Sequence, residues 1–395
     1  MPSLRPHVLR DLASIGVLMT ALALPGLGLV LGLDTAPRAD EQRAMAQRPA
    51  LPTTRQSVQE YPRRADAYLR DHFGFRNGLL RLHNRVATAW LGRRPSETVE
   101  VMAGREGWLY YTGADAIRSI EGRSLLREDG IRAWENAIRE RGRWLSERGI
   151  PYLVVFAPEK GSVYPEHLPD WLRPSTHGTR LDQVMAALQG VERADVLDLR
   201  PPLLAAKQRF PGPIYYATDT HWNALGVHIA YGEIVARLVQ WFPGARPAPL
   251  SSFELTWSTR AGGDLARLLG LEHRYAELAP KLTPRTLRQA RHVDLGMYGA
   301  ARPEAATHPA IVTEREQADI PAAVIFRDSF ATDLVPFLAE HFGRAVFLWT
   351  YDFDWQAIDR ERPSVVIQEY AERFLYTLAP ENPPPVRGAL APQRR

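Results

Sequence analysis

Val324-Ile325-Phe326-Arg327-Asp328-Ser329-Phe330 is an apolar run that ends in a serine just before a helical pattern begins. Three apolar residues without polar alternation read as a strand buried on both faces of a sheet. Working outward, a helical pattern over residues 332–341 leads to the apolar run 345–348, and a second over 354–360 leads to 365–367. Upstream the same alternation holds. A charged amphipathic helix over 126–148 precedes the strand Tyr152-Leu153-Val154-Val155-Phe156; a helix over 179–188, a strand over 196–199 and a short helix over 202–209 follow. This order predicts an α/β fold, a parallel sheet flanked by helices. Ligands of such sheets sit outside the carboxyl ends of the strands. Ser329 lies just past one such end, and Ala157-Pro158-Glu159-Lys160 leaves another.

The second decisive stretch is Tyr215-Tyr216-Ala217-Thr218-Asp219-Thr220-His221-Trp222-Asn223. Asp219 and His221 stand two residues apart, so in an extended segment both side chains leave one face. A carboxylate held beside an imidazole fixes its tautomer and supports its charged form. A serine hydroxyl needs such a base to become a nucleophile. Asp219, His221 and Ser329 are therefore the candidate triad: Ser329 the nucleophile, His221 the base, Asp219 its orienter. A serine at a helix start would also gain free N–H donors for an oxyanion. Asp328 and Ser329 read equally as a helix N-cap, and Asp219 as a turn cap. His221 and His228 with Asp219 make a poor metal set, being seven residues apart across a helix start, and no cofactor is called for. A helix is expected from about Asn223, as N-cap, to Trp241. Residues 242–300 have no clear assignment beyond a turn at Gly262-Gly263-Asp264 that leads into a short helix.

The 395 residues are 45% hydrophobic, enough for one large or two smaller cores. Net charge is +4, carried by arginine, since Lys160, Lys207 and Lys281 are the only lysines. The basic residues are dispersed, so nothing points to nucleic acid, while the mild bias is compatible with acidic partners such as anionic polysaccharide or phospholipid. With no cysteine, disulfides, thiolate catalysis and cysteine-ligated zinc are excluded. Residues 12–33 carry no charge, after Arg5 and Arg10 and before Asp34. That length spans a bilayer as a helix, and the flanking arginines favour a cytoplasmic amino terminus. A long cleaved signal peptide is the alternative, and both readings export the main domain. The expected organisation is a membrane anchor over 1–34, a linker over 35–56, the main domain over 57–380 and a disordered, Pro-rich tail over 381–395. Helical spacing recurs over 57–73 and 75–90, and 99–102 with 108–111 read as a β-hairpin.

Asp219-Thr220-His221-Trp222-Asn223 with Gly226, followed by Asp328-Ser329-Phe330, resembles the exported O-acetyltransferases of the alginate type (AlgJ/AlgX-like), SGNH-hydrolase-like proteins of bacterial exopolysaccharide assembly. Four further segments carry the resemblance: 104–110, 157–160 with 164–166, 262–265, and Glu369 with Glu372-Arg373. It covers roughly residues 55–375. The resemblance implies an SGNH-like fold with the D-x-H pair and the later serine as the triad, acetyl transfer to sugar hydroxyls, a polysaccharide substrate and a polytopic membrane O-acyltransferase as acetyl supplier. It also implies an inner-membrane protein with a single span and a periplasmic main domain. Arg327 stands where SGNH enzymes have glycine, and is a candidate for steering an anionic sugar or for packing. Lys160 and Trp222 are further substrate-binding candidates, with a salt bridge and loop packing as their alternatives. Glu369 and Arg373, four apart, read as a helical ion pair.

Overall fold

The computed structural model describes residues 46–72, 100–113, 115–294, 308–316, 318 and 320–376, with scattered positions between 14 and 31 and between 74 and 79. The chain divides into two units, Met1–Val99 with Ala266–Arg274, and Glu100–Leu265 with Tyr275–Arg395. In the first unit, helix α1 (Arg55–Asp71) begins with a reciprocal cap: Thr54 Oγ1 accepts from Ser57 N and Ser57 Oγ from Thr54 N. Most of the expected helix over 75–90, much of the apolar stretch 12–33 and the tail 381–395 lie outside the described residues. Among the described residues, no helix is long and apolar enough to cross a membrane.

The second unit opens with the hairpin β1 (Val101–Ala103) and β2 (Leu109–Tyr111), whose tight turn uses Gly107 at φ +80°. Helix α2 (Glu128–Ser146) leads into β3 (Tyr152–Ala157), followed by α3 (Lys160–Val163), α4 (Arg180–Leu188), β4 (Asp195–Asp198), α5 (Arg200–Lys207) and α6 (Ala224–Leu238). A long hairpin of β5 (Phe253–Ala261) and β6 (Ala276–Pro284) brackets the short helix α7 (Asp264–Leu268). The chain then runs through β7 (Arg291–His292), β8 (Ile311–Glu314), β9 (Ile320–Arg327), α8 (Val335–Leu338), β10 (Phe342–Trp349), α9 (Trp355–Glu361) and β11 (Val365–Ala371).

Seven strands form one sheet in the order β4-β3-β11-β9-β10-β8-β7. The first five are parallel, with Val366 opposite both Tyr152 and Val324. β8 and β7 add an antiparallel edge, so the expected parallel sheet is in fact mixed. Residue parity divides the core. Leu153, Val155, Ile325 and Ile367 pack with α5, α6 and α8, whereas Tyr152, Val154, Val324, Phe326 and Val366 pack with α2, α4 and α9. Helices on both faces explain why β3 and β11 are buried along their whole length. Because β3, β11 and β9 are neighbours, the segments after Ala157, Ala371 and Arg327 emerge together at one end of the sheet.

Two expectations change here. The helix over 332–341 shrinks to α8 and a 3₁₀ turn, because residues 329–335 close as successive tight turns and Pro336, lacking an N–H, suits only a first helical turn. Ser329 therefore lies on a turn rather than at a helix start. The unassigned stretch 242–300 contains the long β5–β6 hairpin, whose strands are largely exposed and lack a clear burial alternation.

Asn223 caps α6, its Oδ1 accepting from Leu225 N and Gly226 N. A Cβ on Gly226 would fall 2.4 Å from the Ile214 carbonyl oxygen, so the first turn of α6 rests directly on the backbone entering the Asp219 loop. Replacing Gly226 with alanine is expected to lower unfolding free energy by about 1–3 kcal/mol through overpacking. The check is a denaturant titration, in which the midpoint falls and the slope stays unchanged.

Candidate functional site

The loop between α5 and α6 is held by Lys160, which enters from the carboxyl end of β3. Its Nζ donates to the carbonyls of Tyr216 (3.0 Å), Ala217 (2.8 Å) and Asp219 (2.7 Å). Burial pushes this amine down to about 7, against the pull of Asp264 and Asp219. Lys160 is thus a brace inside the loop, with 2% of its surface exposed. Tyr215 and Trp222 bridge the base of the loop.

Within the loop the Asp219 carboxylate meets four donors. Oδ1 accepts from His221 Nδ1 at 2.8 Å and His221 N at 3.2 Å, while Oδ2 accepts from Arg260 Nη2 at 2.9 Å and Asp264 N at 3.2 Å. Burial would raise its pKa, but the His221 hydrogen bond and the charges of His221 and Arg260 hold it well below the usual carboxylate range. Burial lowers the imidazole, but Asp219, with Asp264 behind it, outweighs burial and leaves His221 above its ordinary value. With Nδ1 committed to Asp219, the buried Nε2 is left with no hydrogen-bond partner among the described residues. That is the arrangement of a base awaiting a proton.

Arg260 from β5 also donates to Glu277 of β6 (3.1 Å), and Glu277 accepts from the N–H and hydroxyl of Thr218. Asp264 accepts from Thr220 N and Thr220 Oγ1, and its Oδ2 lies 3.6 Å from His221 Nδ1. Burial, then the charge of Asp219, raises Asp264. Asp219, His221 and Asp264 bring donor atoms within 4.8 Å of one another. With the Arg260 guanidinium on Asp219 Oδ2, the set orients an imidazole better than it would hold a cation. Gly263 permits this closeness: its N–H donates to Thr218 Oγ1, and a Cβ there would fall 2.5 Å from Asp219 Cβ.

Ser329 arrives from the end of β9. Its neighbour Phe330 places its ring 5.0 Å from the His221 ring and 5.1 Å from the Trp222 indole, and Trp222 Nε1 donates to the Phe330 carbonyl. Trp222 is fully buried, so it wedges the two loops together and presents no face to a sugar. The Ser329 hydroxyl, half-buried, makes no hydrogen bond among the described residues, and the Ser329–His221 bond is not formed. Arg327 has 4% of its surface exposed. Buried over Trp349, it donates to the Asp328 carbonyl and to Thr332 Oγ1, bracing both sides of the serine turn. Asp328 accepts from Phe330 N and Ala371 N, while Asp328 N donates to Glu369. Burial and the Asp328 charge raise Glu369 well above its usual range. The Phe330 N–H is thereby occupied, while the Ser329 N–H, like that of Ala331, makes no hydrogen bond among the described residues.

Glu369 sits on β11 rather than a helix, so its expected pairing with Arg373 gives way to Asp328, and Arg373 instead grips Glu159 through Nε and Nη2. Glu159, Arg373 and Thr220 line a narrow cleft together with Lys160, Tyr110, Tyr111 and Glu372. Burial pushes Glu372 up to about 7. Trp108 and Tyr110 are buried parts of the hairpin core.

Residues 101–304 match the family described as "SGNH hydrolase-like domain, acetyltransferase AlgX". The chain belongs to this family. The matched span holds the Asp219 loop and Gly262-Gly263-Asp264, and ends before Ser329. Among curated proteins it is similar to the "Probable alginate O-acetylase AlgJ" of Pseudomonas syringae pv. tomato, 27% identical over 299 residues (70% of this chain, 69% of that protein). The protein of the same name from Pseudomonas putida is 24% identical over 298 residues (70% of each). Among solved structures, Bacillus cereus PatB1 superposes with a TM-score of 0.51 at 17% identity, over 70% of this chain and 96% of that one, a likeness of fold. The SGNH-hydrolase-like α/β fold implied by the motifs is thus the fold of this AlgX-family chain.

Sequence reading missed Arg260, Glu277 and Asp264 as parts of this site. Only Gly262-Gly263-Asp264 carried a signal, as a paired-glycine turn. Replacing Gly263 with alanine is expected to displace Asp219 and cut turnover on the order of 10²-fold while the protein still folds. Steady-state kinetics on an activated acetyl ester, beside a thermal melt, checks this.

Proposed function

We propose that this protein O-acetylates an exported polysaccharide through an acetyl-Ser329 intermediate, with Asp219, His221 and Ser329 as its triad. The observation that carries the reading is the buried, unpartnered Nε2 of His221, on an imidazole whose other nitrogen is fixed by Asp219 and whose ring packs on the residue next to Ser329. Membership of an acetyltransferase family and likeness to proteins named as probable alginate O-acetylases support the reaction class.

In the reacting complex Oγ comes within hydrogen-bond reach of Nε2; such contacts commonly tighten only when the acetyl donor binds. Oγ attacks the acetyl carbonyl as Nε2 takes its proton, and the Ser329 N–H faces the developing oxyanion. The donor's carbon–oxygen or carbon–sulfur bond then breaks, and the imidazolium returns the proton to the leaving group. In the second half, a sugar hydroxyl gives its proton to Nε2 and attacks the acetyl-serine, releasing the acetylated sugar and free Ser329. The donor group comes from a polytopic membrane O-acyltransferase, and residues 12–33 hold the chain to the inner membrane with the catalytic unit in the periplasm.

Incubation with an activated acetyl ester and sugar oligomers tests transfer: the oligomers gain acetyl groups in proportion to acceptor concentration. Release of acetate with no acetylated sugar, at any acceptor concentration, would make the enzyme a hydrolase. The pH dependence follows from the raised His221. Only neutral imidazole accepts the proton, so kcat/KM rises with pH through a midpoint above 6.5. In Asp219→Asn the raising charge is gone, the midpoint moves to lower pH, and the plateau falls on the order of 10³–10⁴-fold. A pH–rate profile of both proteins checks the sign.

A further inference from the structure

Glu372 and Arg373, just past β11, take no part in the chemistry described above, yet Arg373 joins three separate segments. Its Nε and Nη2 grip the Glu159 carboxylate at the end of β3. Its guanidinium carbon lies 4.8 Å from the centroid of the Tyr111 ring on β2 and 5.4 Å from that of Phe330 after β9. Glu372 fixes the same corner through the main chain, its Oε2 accepting from Glu159 N at 2.9 Å and Ser162 Oγ at 2.7 Å. The Arg373 and Glu159 side chains are 11% and 20% exposed, so the pair is largely removed from the water that makes surface ion pairs weak. A guanidinium suits this place, because its edge binds a carboxylate as a fork while its faces lie against aromatic rings. An ammonium ion keeps the charge and loses the fork.

Phe330 is where this clamp reaches the site. It follows Ser329 directly, its ring packs on His221 and Trp222, and its N–H is bound to Asp328. We propose that Arg373 is a positioning residue for acetyl transfer: anchored on Glu159 and Tyr111, it holds Phe330, and with it the Ser329 turn, in place beside His221. The proposal rests on the acetyl-transfer reading above. The same guanidinium also acts on His221 through its charge. Asp219 and Asp264 raise the imidazole, Asp333 of the serine turn is a further negative charge facing it, Arg260 reaches it by way of Asp219, and Arg373 lowers it. Loss of the Arg373 charge therefore moves the His221 midpoint up. A site that had merely loosened would weaken the Asp219 hydrogen bond and bring the midpoint down toward the ordinary histidine value.

The test compares full-length wild type, Arg373→Lys, Arg373→Ala and Glu159→Gln, with thermal melts to confirm folding. Turnover of an activated acetyl ester is measured across pH, and the His221 imidazole is titrated by NMR, its signals assigned with His221→Asn. In Arg373→Lys, kcat is expected to fall roughly tenfold or more while KM changes by less than about twofold, with the His221 midpoint unmoved. Glu159→Gln lowers kcat in the same way, by releasing the guanidinium. In Arg373→Ala, kcat falls further and the midpoint rises. Wild-type kcat in Arg373→Lys and Glu159→Gln would overturn the proposal, and these two variants decide it if Arg373→Ala does not fold. A loss confined to KM would also overturn it, by making Arg373 a substrate contact, as would a midpoint in Arg373→Ala that stays or falls. Should wild type turn over no ester, a midpoint that rises in Arg373→Ala would uphold the placement of Arg373 and count against the acetyl-transfer reading instead.

Discussion

The Asp219 carboxylate is a buried negative charge, and much of the second unit is arranged to keep it so. A carboxylate removed from water without partners would take up a proton, and a protonated Asp219 could no longer hold His221 in the required tautomer. Four donors prevent that. Two of them come from outside the loop, and their supply explains two features of the fold. The β5–β6 hairpin is largely exposed and adds Phe253 and Leu282 to the core, and it delivers Arg260 to Asp219 and Glu277 to Thr218. Gly263 removes the side chain that would stand between Asp264 N and the carboxylate.

The serine side obeys a parallel logic with a different balance of charge. Asp328 and Glu369 are both buried, and burial with the Asp328 charge raises Glu369 well above its usual range. Asp328 N donating to Glu369, and Ala371 N donating to Asp328, tie the turn after β9 to β11, while Arg327 ties its two limbs together. Trp222 and Phe330 then join the serine turn to the histidine loop through ring packing and one indole hydrogen bond. The large and charged residues around the triad therefore serve to hold two backbone segments, while the Ser329 hydroxyl and His221 Nε2 make no hydrogen bond among the described residues.

The sheet was legible because its central strands are uninterrupted apolar runs between helical patterns, and because the resulting parallel order puts functional loops at one end. Asp219 with His221 was legible for the same local reason, a spacing of two. What escaped reading was pairing across distance. Arg260 and Glu277 sit in strands without burial alternation, so nothing in the local sequence marks the hairpin or its reach. The antiparallel edge escaped because β7 and β8 are only two and four residues long. Lys160, Arg327 and Trp222 each carried two readings, contact with a sugar or a salt bridge and packing, because residue type alone suits both. All three are buried, and burial depends on tertiary neighbours that a single sequence does not display.

The measurement that tests this account most directly is intact-mass spectrometry after brief exposure to an activated acetyl ester and rapid acid quench, with wild type and Ser329→Ala side by side. A single acetyl adduct on wild type, mapped by peptide fragmentation to Ser329 and absent from the alanine variant, is the predicted result. An adduct of equal yield on both proteins, or one mapped to another residue, would contradict the assignment of Ser329 as the group that His221 and Asp219 are built to activate.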